Sequence, residues 1–478
     1  MKILHTSAEL YPYIKVGGLS DMLASIAKEQ ANRHEVHIAV PLLKSFRDKI
    51  PEVVHTLPAI DPMQAFHSDA SNILKKSRFL HTMDKDVHIH FFESPVFENY
   101  DKIYSNDGEL FNFALFSYAC YYLGRLIHAD IVHSHDWHTA LVNVCNHFLA
   151  EGRPTVFTIH NLAYQGDHPY WMTSFLRVDP FNINTEILDN LGKVNYMKGA
   201  LMFANEITTV SPGYREETLH EPEGYFLSWL LNERRYNYTG ILNGIDDRVW
   251  NPSFDTKIAL NYNSSNAEEG KRENKLSLYK EYGLDIDLDR PLIGMVTRLT
   301  HQKGIETFLQ SFREKWGLPF YYFILGSGDE KLENTLFHFS HHDHKRLFFF
   351  KGFEDALAHK VEAAADFFLM PSLFEPCGLN QMYSQVYGTV PIVSRVGGLK
   401  DTVREDADRH YMTGIVFEKG EAHSLNYALD RANTLFWNKA DLSIVRRNIM
   451  HIDWGWKGSE MRYTHLYEKI RQVRRRAV

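Results

Sequence analysis

Twelve short apolar runs, each separated from the next by a longer segment of helical period, restrict this chain to α/β architectures. In the first half the runs are Ile3–Thr6, Val36–Val40, His88–Phe92, Ile131–His133, Thr155–Ile159 and Glu206–Val210. In the second half they are Leu292–Val296, Tyr321–Leu325, Leu347–Phe350, Phe367–Met370, Val390–Val393 and Gly414–Phe417. Parallel strands covered by helices on both faces read in this way, as unbroken apolar stretches. Twelve strands are too many for one ordinary doubly wound sheet, so two sheets of about six are expected. The change of domain is expected near Thr239–Asp246, where a short run ends in the turn-forming Asn243-Gly244-Ile245-Asp246. This gives domains at 1–240 and 241–457, followed by a helical segment, 458–478, with a basic tail at Arg474, Arg475 and Arg476.

Composition narrows the function. The net charge of -8 argues against nucleic acid as the main partner, because phosphate-backbone binding needs a basic face. Three cysteines, Cys120, Cys145 and Cys377, are too few and too scattered for a disulfide framework or a metal site. No stretch approaches the ~18 apolar residues of a membrane span, and the apolar run at the N-terminus is too short for a signal peptide. The expected setting is soluble and cytoplasmic. The cluster His338, His341, His342 and His344 reads as a solvated loop, since no carboxylate or cysteine pattern accompanies it.

In open α/β sheets ligands bind beyond the carboxyl ends of the strands, and the unusual residues of this chain gather there. Lys15-Val16-Gly17-Gly18-Leu19 precedes a helix marked by Leu19, Met22, Leu23, Ile26 and Ala27. Glycines bring backbone N–H groups close to an anion, a helix start adds unpaired donors, and Lys15 adds a full charge. Arg298-Leu299-Thr300-His301-Gln302-Lys303-Gly304 follows the run Leu292–Val296, and its two cations could clamp a diphosphate. Phe374-Glu375-Pro376-Cys377-Gly378-Leu379 follows Phe367–Met370. There Pro376 fits the first position of a helix, which would leave the amides of Cys377, Gly378 and Leu379 unpaired. Glu375 could accept hydrogen bonds from sugar hydroxyls or stabilise a developing cation. His160-Asn161 and Asp136-Trp137-His138 lie at two further strand ends. The segment 15–21 is echoed by Arg395-Val396-Gly397-Gly398-Leu399-Lys400-Asp401. The D-x-D spacing of Asp285-Ile286-Asp287-Leu288-Asp289 precedes a strand, at the wrong end for a metal role.

Together these blocks resemble the bacterial glycogen synthases and plant starch synthases over nearly the whole chain. The resemblance rests on Lys15–Leu19, Asp136–His138, His160–Gly166, Thr209–Pro212, Asn243–Asp246, Arg298–Gly304, Gly326–Asp329, Glu375–Leu379 and Gly397–Val403, in this order and spacing. It implies an α/β fold of the GT-B type: two Rossmann-like, doubly wound parallel-sheet domains facing across a deep cleft, the second binding the nucleotide sugar. It also implies a C-terminal helix that crosses back to the first domain. The implied reaction is retaining transfer of glucose from ADP-glucose to the non-reducing 4-OH of an α-1,4-glucan, with no metal or cofactor.

Carried over, Arg298 and Lys303 would neutralise the leaving diphosphate, joined by Lys15 and the Gly17 and Gly18 amides. Glu375 and the amides of Cys377, Gly378 and Leu379 would hold glucose hydroxyls and the β-phosphate. His160 would contact the glucose, with Asp21, His138 and Asn161 lining its site. Asn243 and Tyr383 complete the substrate-binding set. Related transferases often carry a second Glu eight positions after the first; Tyr383 there is the glycogen and starch synthase pattern. Ser20, Leu373 and the stretch Glu221–Ser228 depart from the family pattern. Two other readings stand beside this one: a GT-B transferase with a UDP-sugar or a different acceptor, and a non-catalytic glycan-binding protein on the same fold.

Overall fold

A computed structural model describes the chain except residues 51, 54, 62–67, 105–108, 150, 170–187, 285–286, 343–345 and 478. It divides into two compact units, Met1–Gly244 with Trp456–Val478, and Ile245–Gly455.

The first unit is built on β1 (Lys2–Thr6), β2 (Glu35–Pro41), β3 (His55–Thr56), β4 (Arg78–Asp84), β5 (Val87–Glu93), β6 (Ile131–His135) and β7 (Thr155–Ile159). Next come the short strands β8 (Asp167–His168), β9 (Asp189–Asn190) and β10 (Lys193–Asn195), then β11 (Glu206–Thr209) and β12 (Tyr238–Gly240). The main sheet has nine strands in the order β12-β11-β7-β6-β1-β2-β5-β4-β3, while β8, β10 and β9 form a small separate sheet. Nine is more than the expected six. The additions sit at the edges: β12 is only three residues long, and β4 and β3 join antiparallel. The strand Arg78–Asp84, next to the two-residue edge strand β3, mixes buried and exposed positions and so lacks the continuous apolar signature. The central strands β1, β6 and β7 are buried almost throughout, as parallel strands covered on both faces must be.

The second unit carries β13 (Leu292–Leu299), β14 (Tyr321–Gly328), β15 (Leu347–Lys351), β16 (Phe367–Met370), β17 (Val390–Ser394) and β18 (Ile415–Phe417). Its sheet runs β15-β14-β13-β16-β17-β18, and every pairing is parallel. Two cores cover it, one on each face. Ile293, Phe367, Leu369, Val390 and Ile392 enter one core, and Leu292, Phe368, Met370 and Val393 the other. Successive residues of a strand point to opposite faces, so both sets must be apolar. These two sheets are those of two Rossmann-like α/β domains, as expected for the GT-B class.

Each sheet reverses its strand order once. In the first unit β1 leads towards β2 and β5, while β6 leads the other way towards β7, β11 and β12. In the second unit the reversal lies between β13 and β16. At such a point neighbouring loops diverge to opposite faces and leave a crevice at the carboxyl ends of the strands. The helix Lys457–Ala477 packs within the first unit, where Tyr467 is fully buried. Its basic tail beyond residue 472 and the residues Asp285, Ile286 and His344 lie outside the described side chains. The remaining acidic residues of the D-x-D stretch face cations of their own: Asp289 pairs with Arg272 and Asp287 with Arg290. His338, His341 and His342 are exposed on the helix Glu330–His342, not in a loop as their polarity suggested. No described helix is long and apolar enough to cross a membrane.

Candidate active site

In the first unit the loop between β1 and the helix Gly18–Gln30 is organised by Glu9. This buried carboxylate accepts from the amides of Val16 (2.9 Å) and Gly17 (2.8 Å), and from the Tyr104 hydroxyl (2.6 Å). The Gly17 amide is therefore committed to Glu9 and not to an incoming anion, a correction to the anion-cradle reading. The sequence hides this because a Glu eight residues upstream has no spacing signature. Lys15 is exposed and pairs with Asp21 at 3.0 Å, its ammonium lying 5.0 Å from the Tyr11 ring centroid. Gly18 begins the helix, and Tyr104 carries the loop's organisation inward by stacking on His138 at 4.8 Å. His138 is buried between Tyr104, Phe113 and Trp137, and burial pushes its pKa down to about 3.

Asp136 sits at the first-unit switch point, immediately after β6. Its backbone is left-handed (φ 56°), a conformation uncommon outside glycine. That geometry turns its carboxylate onto the amides of His160 (2.7 Å) and Asn161 (3.3 Å) at the end of β7. Burial raises the Asp136 pKa to about 7, even though these two amides oppose the rise. The Asn161 side chain accepts from the Ala163 amide at 3.1 Å. His160 is held neutral, its pKa lowered to about 3 by burial. Asn243, also in this unit, is buried with a side-chain oxygen that has no hydrogen-bond partner among the described residues. Such an atom is a ready acceptor for a ligand hydroxyl.

At the second-unit switch point the two loops are bound together. Gln302 accepts from the Leu373 amide (2.8 Å) and donates to the Phe374 carbonyl (3.2 Å), while the Asn380 side chain donates to the Val296 carbonyl (2.7 Å). Gly304 is left-handed (φ 63°), and a Cβ there would overlap the Pro371 carbonyl oxygen. Only glycine permits this approach. It places the Lys303 ammonium 2.6 Å from the buried carboxylate of Glu375, which also accepts from the Ser372 hydroxyl at 2.9 Å. The two groups that the sequence reading sends to different parts of a substrate are thus direct partners. Arg298 lies inside β13, exposed and opposite Ser327, since the strand runs three residues further than its apolar run.

Pro376 does not start a helix. The next helix is Asn380–Val386, with Leu379 at its N-cap, because left-handed Gly378 (φ 71°) interrupts the turn before it. The buried Cys377 backbone lies against Gly398, where a Cβ would overlap the Cys377 carbonyl, and the Gly398 amide donates to the Glu375 carbonyl at 3.0 Å. The echo segment 395–401 thus buttresses the Glu375 loop. Tyr383 is buried and stacked on Trp250 at 3.8 Å, with Trp250 stacked in turn on His359 at 3.7 Å.

Residues 2–233 match the starch synthase catalytic domain family, and residues 282–435 match the glycosyl transferases group 1 family. A glycogen synthase of Leptospira biflexa serovar Patoc is 51% identical over 470 residues, covering 98% of each chain. The chain belongs to the glycogen and starch synthase family of glycosyltransferases. Another member, a glycogen synthase of Bacillus cereus, is 35% identical over 98% of this chain and all of its own. Among solved structures, the catalytic domain of starch synthase IV from Arabidopsis thaliana, bound to ADP and acarbose, superposes with a TM-score of 0.88 at 29% identity. That match covers 98% of this chain and 99% of the other. Members of the family use a nucleotide sugar donor and a glucan acceptor. The RLTHQKG and EPCGL blocks of this chain are the two loops joined by Lys303 and Glu375.

Proposed function

We propose that this glucosyltransferase moves glucose from ADP-glucose to the non-reducing 4-OH of an α-1,4-glucan, with retention of configuration. The Lys303–Glu375 pair at the second-unit switch point carries the reading, in a chain alike over its full length to glycogen synthases. An ammonium has three donors, so Lys303 can keep its bond to Glu375 and still bind a phosphate oxygen. Arg298, exposed in β13, is proposed as a second cation and Lys15 as a third. Departure of the diphosphate builds negative charge on its oxygens, and preplaced cations lower the barrier by stabilising it. Glu375, Cys377, Gly378 and Leu379 address the glucose hydroxyls and β-phosphate, with Asn243 and Tyr383 as further substrate contacts. His160, Asn161, His138 and Asp21 serve the sugar on the first unit.

In the step proposed, the acceptor oxygen bonds to C1 as the bond from C1 to the diphosphate breaks. The acceptor's proton passes to the leaving phosphate, and ADP departs. No protein nucleophile, metal or cofactor takes part. The ADP-bound Arabidopsis relative supports the choice of base. We place the reaction in the cytoplasm, which suits three scattered, buried cysteines. Incorporation of labelled ADP-glucose or UDP-glucose into a glycogen primer tests the proposal, with digestion of the product by an α-1,4-specific hydrolase. Label that enters only from UDP-glucose, or that resists the hydrolase, overturns it.

A further inference from the structure

A chain of neutral rings and amides runs inward from His160. His160 Nε2 lies 3.0 Å from His135 Nδ1, His135 Nε2 lies 3.0 Å from His5 Nδ1, and His5 Nε2 lies 2.7 Å from the side-chain oxygen of Gln30. The Gln30 amide nitrogen in turn donates to the Tyr467 hydroxyl at 3.2 Å. Tyr467 pairs with His133 Nδ1 at 2.7 Å, and His133 Nε2 ends on Thr158 at 2.6 Å. These side chains come from β1, β6, β7 and the loop after it, the last residue of the helix Gly18–Gln30 and the helix Lys457–Ala477. All but His160 are buried within the first unit. The six ring nitrogens of His5, His133 and His135 each have a hydrogen-bond partner in this network.

His5, His133, His135 and His160 are each held neutral by burial. A neutral imidazole has one N–H and one bare nitrogen, and the partner of one nitrogen dictates the state of the other. The direction can therefore be read link by link. The Gln30 oxygen can only accept, so His5 carries its proton on Nε2. Its Nδ1 is then bare and must receive the N–H of His135 Nε2. His135 Nδ1 is bare in consequence and must receive the N–H of His160 Nε2. The last free atom, His160 Nδ1, is left unprotonated.

We propose that Gln30 and Tyr467 are positioning residues that set the tautomer of His160, giving it a bare Nδ1 that accepts a hydrogen bond from a substrate hydroxyl. Tyr467 acts by engaging the Gln30 amide nitrogen, which leaves the amide oxygen on His5; reversing that amide would reverse every ring and turn His160 Nδ1 into a donor. The C-terminal helix thereby reaches the sugar site without touching it. The effect on catalysis rests on the reading that His160 contacts the sugar, while the tautomer does not.

Nitrogen NMR of the full-length protein labelled in its histidine rings separates the two, with His160→Gln identifying the His160 signals. The wild type is expected to show a protonated Nε2 and a bare Nδ1 at His160. Gln30→Met and Tyr467→Phe should each shift His160 towards a mixture of tautomers. Both should lower kcat about tenfold, the worth of one neutral hydrogen bond, with the KM for donor little changed. A protonated Nδ1 in the wild type, or an unaltered His160 tautomer in both variants, overturns the proposal. Shifted tautomers with unchanged kcat uphold the relay and overturn the role of His160 at the sugar.

Discussion

Lys303 lies next to a buried carboxylate, yet the cation reading of the sequence remains its main chemical prospect. Lys303→Ala is expected to lower kcat about a hundred- to a thousandfold, as loss of a preplaced donor does in comparable sites. Steady-state turnover of ADP-glucose on a glycogen primer measures this, and a change of less than threefold would remove Lys303 from the phosphate role. Gly304 is constrained more simply. Gly304→Ala forces a left-handed alanine and a clash with the Pro371 carbonyl. A loss of at least about 2 kcal/mol in urea unfolding is expected, from strain alone. The same substitution should loosen the loop that holds Lys303 against Glu375, so kcat should fall with stability.

The elements of the second unit are joined at the opposite end of its sheet by a buried ion cluster. Asp366, just before β16, accepts from Lys275 at 2.8 Å, from Arg446 at 2.7 Å and from the Leu292 amide at 2.9 Å. Burial alone would raise its pKa, but the two cations and the amide outweigh that and hold the carboxyl well below the usual range. Lys275 belongs to the helix Ala267–Glu281 and Arg446 to Lys439–Ile449, so one carboxylate joins two helices to two strands. Asp366→Ala would strand two buried cations and is expected to cost about 3–5 kcal/mol. Urea denaturation of the variant checks the figure, and a loss below 1 kcal/mol would show that the helices are held by their apolar contacts instead.

At the scale of the whole molecule, its histidines predict an acid-sensitive fold. Burial lowers the pKa of His5 and His37 to about 4 and of His138 and His160 to about 3, and holds His90, His133 and His135 well below their ordinary value near 6.5. As pH falls below 6.5 the unfolded chain takes up these protons and the folded chain does not, so stability is lost. Two buried acids act the other way. Asp136, raised to about 7, and Glu362, raised to about 8, hold protons in the fold that the unfolded chain releases above about pH 4. Seven histidines against two acids leave the net sign with the histidines between pH 4.5 and 6.5. The slope is about 1.4 kcal/mol per pH unit for each net proton. The urea midpoint should therefore drop clearly from pH 7 to pH 5, and equal midpoints would contradict the prediction.

The twelve strands read from the sequence were legible because parallel strands covered on both faces are largely apolar. The loops at their carboxyl ends were legible as well, because ligands of open α/β sheets bind beyond the carboxyl ends of the strands. What sequence alone could not show was the partner of each polar side chain. Glu9 sits on Gly17, Glu375 on Lys303, and Gln30 on His5, none at a spacing that a helix or strand would bring together. His133 meets a tyrosine 334 residues away. Apolar burial depends on composition and period, which are written along the chain. A hydrogen bond needs two atoms within about 3 Å, and only the order of strands in the sheet and the docking of the last helix decide which atoms those are.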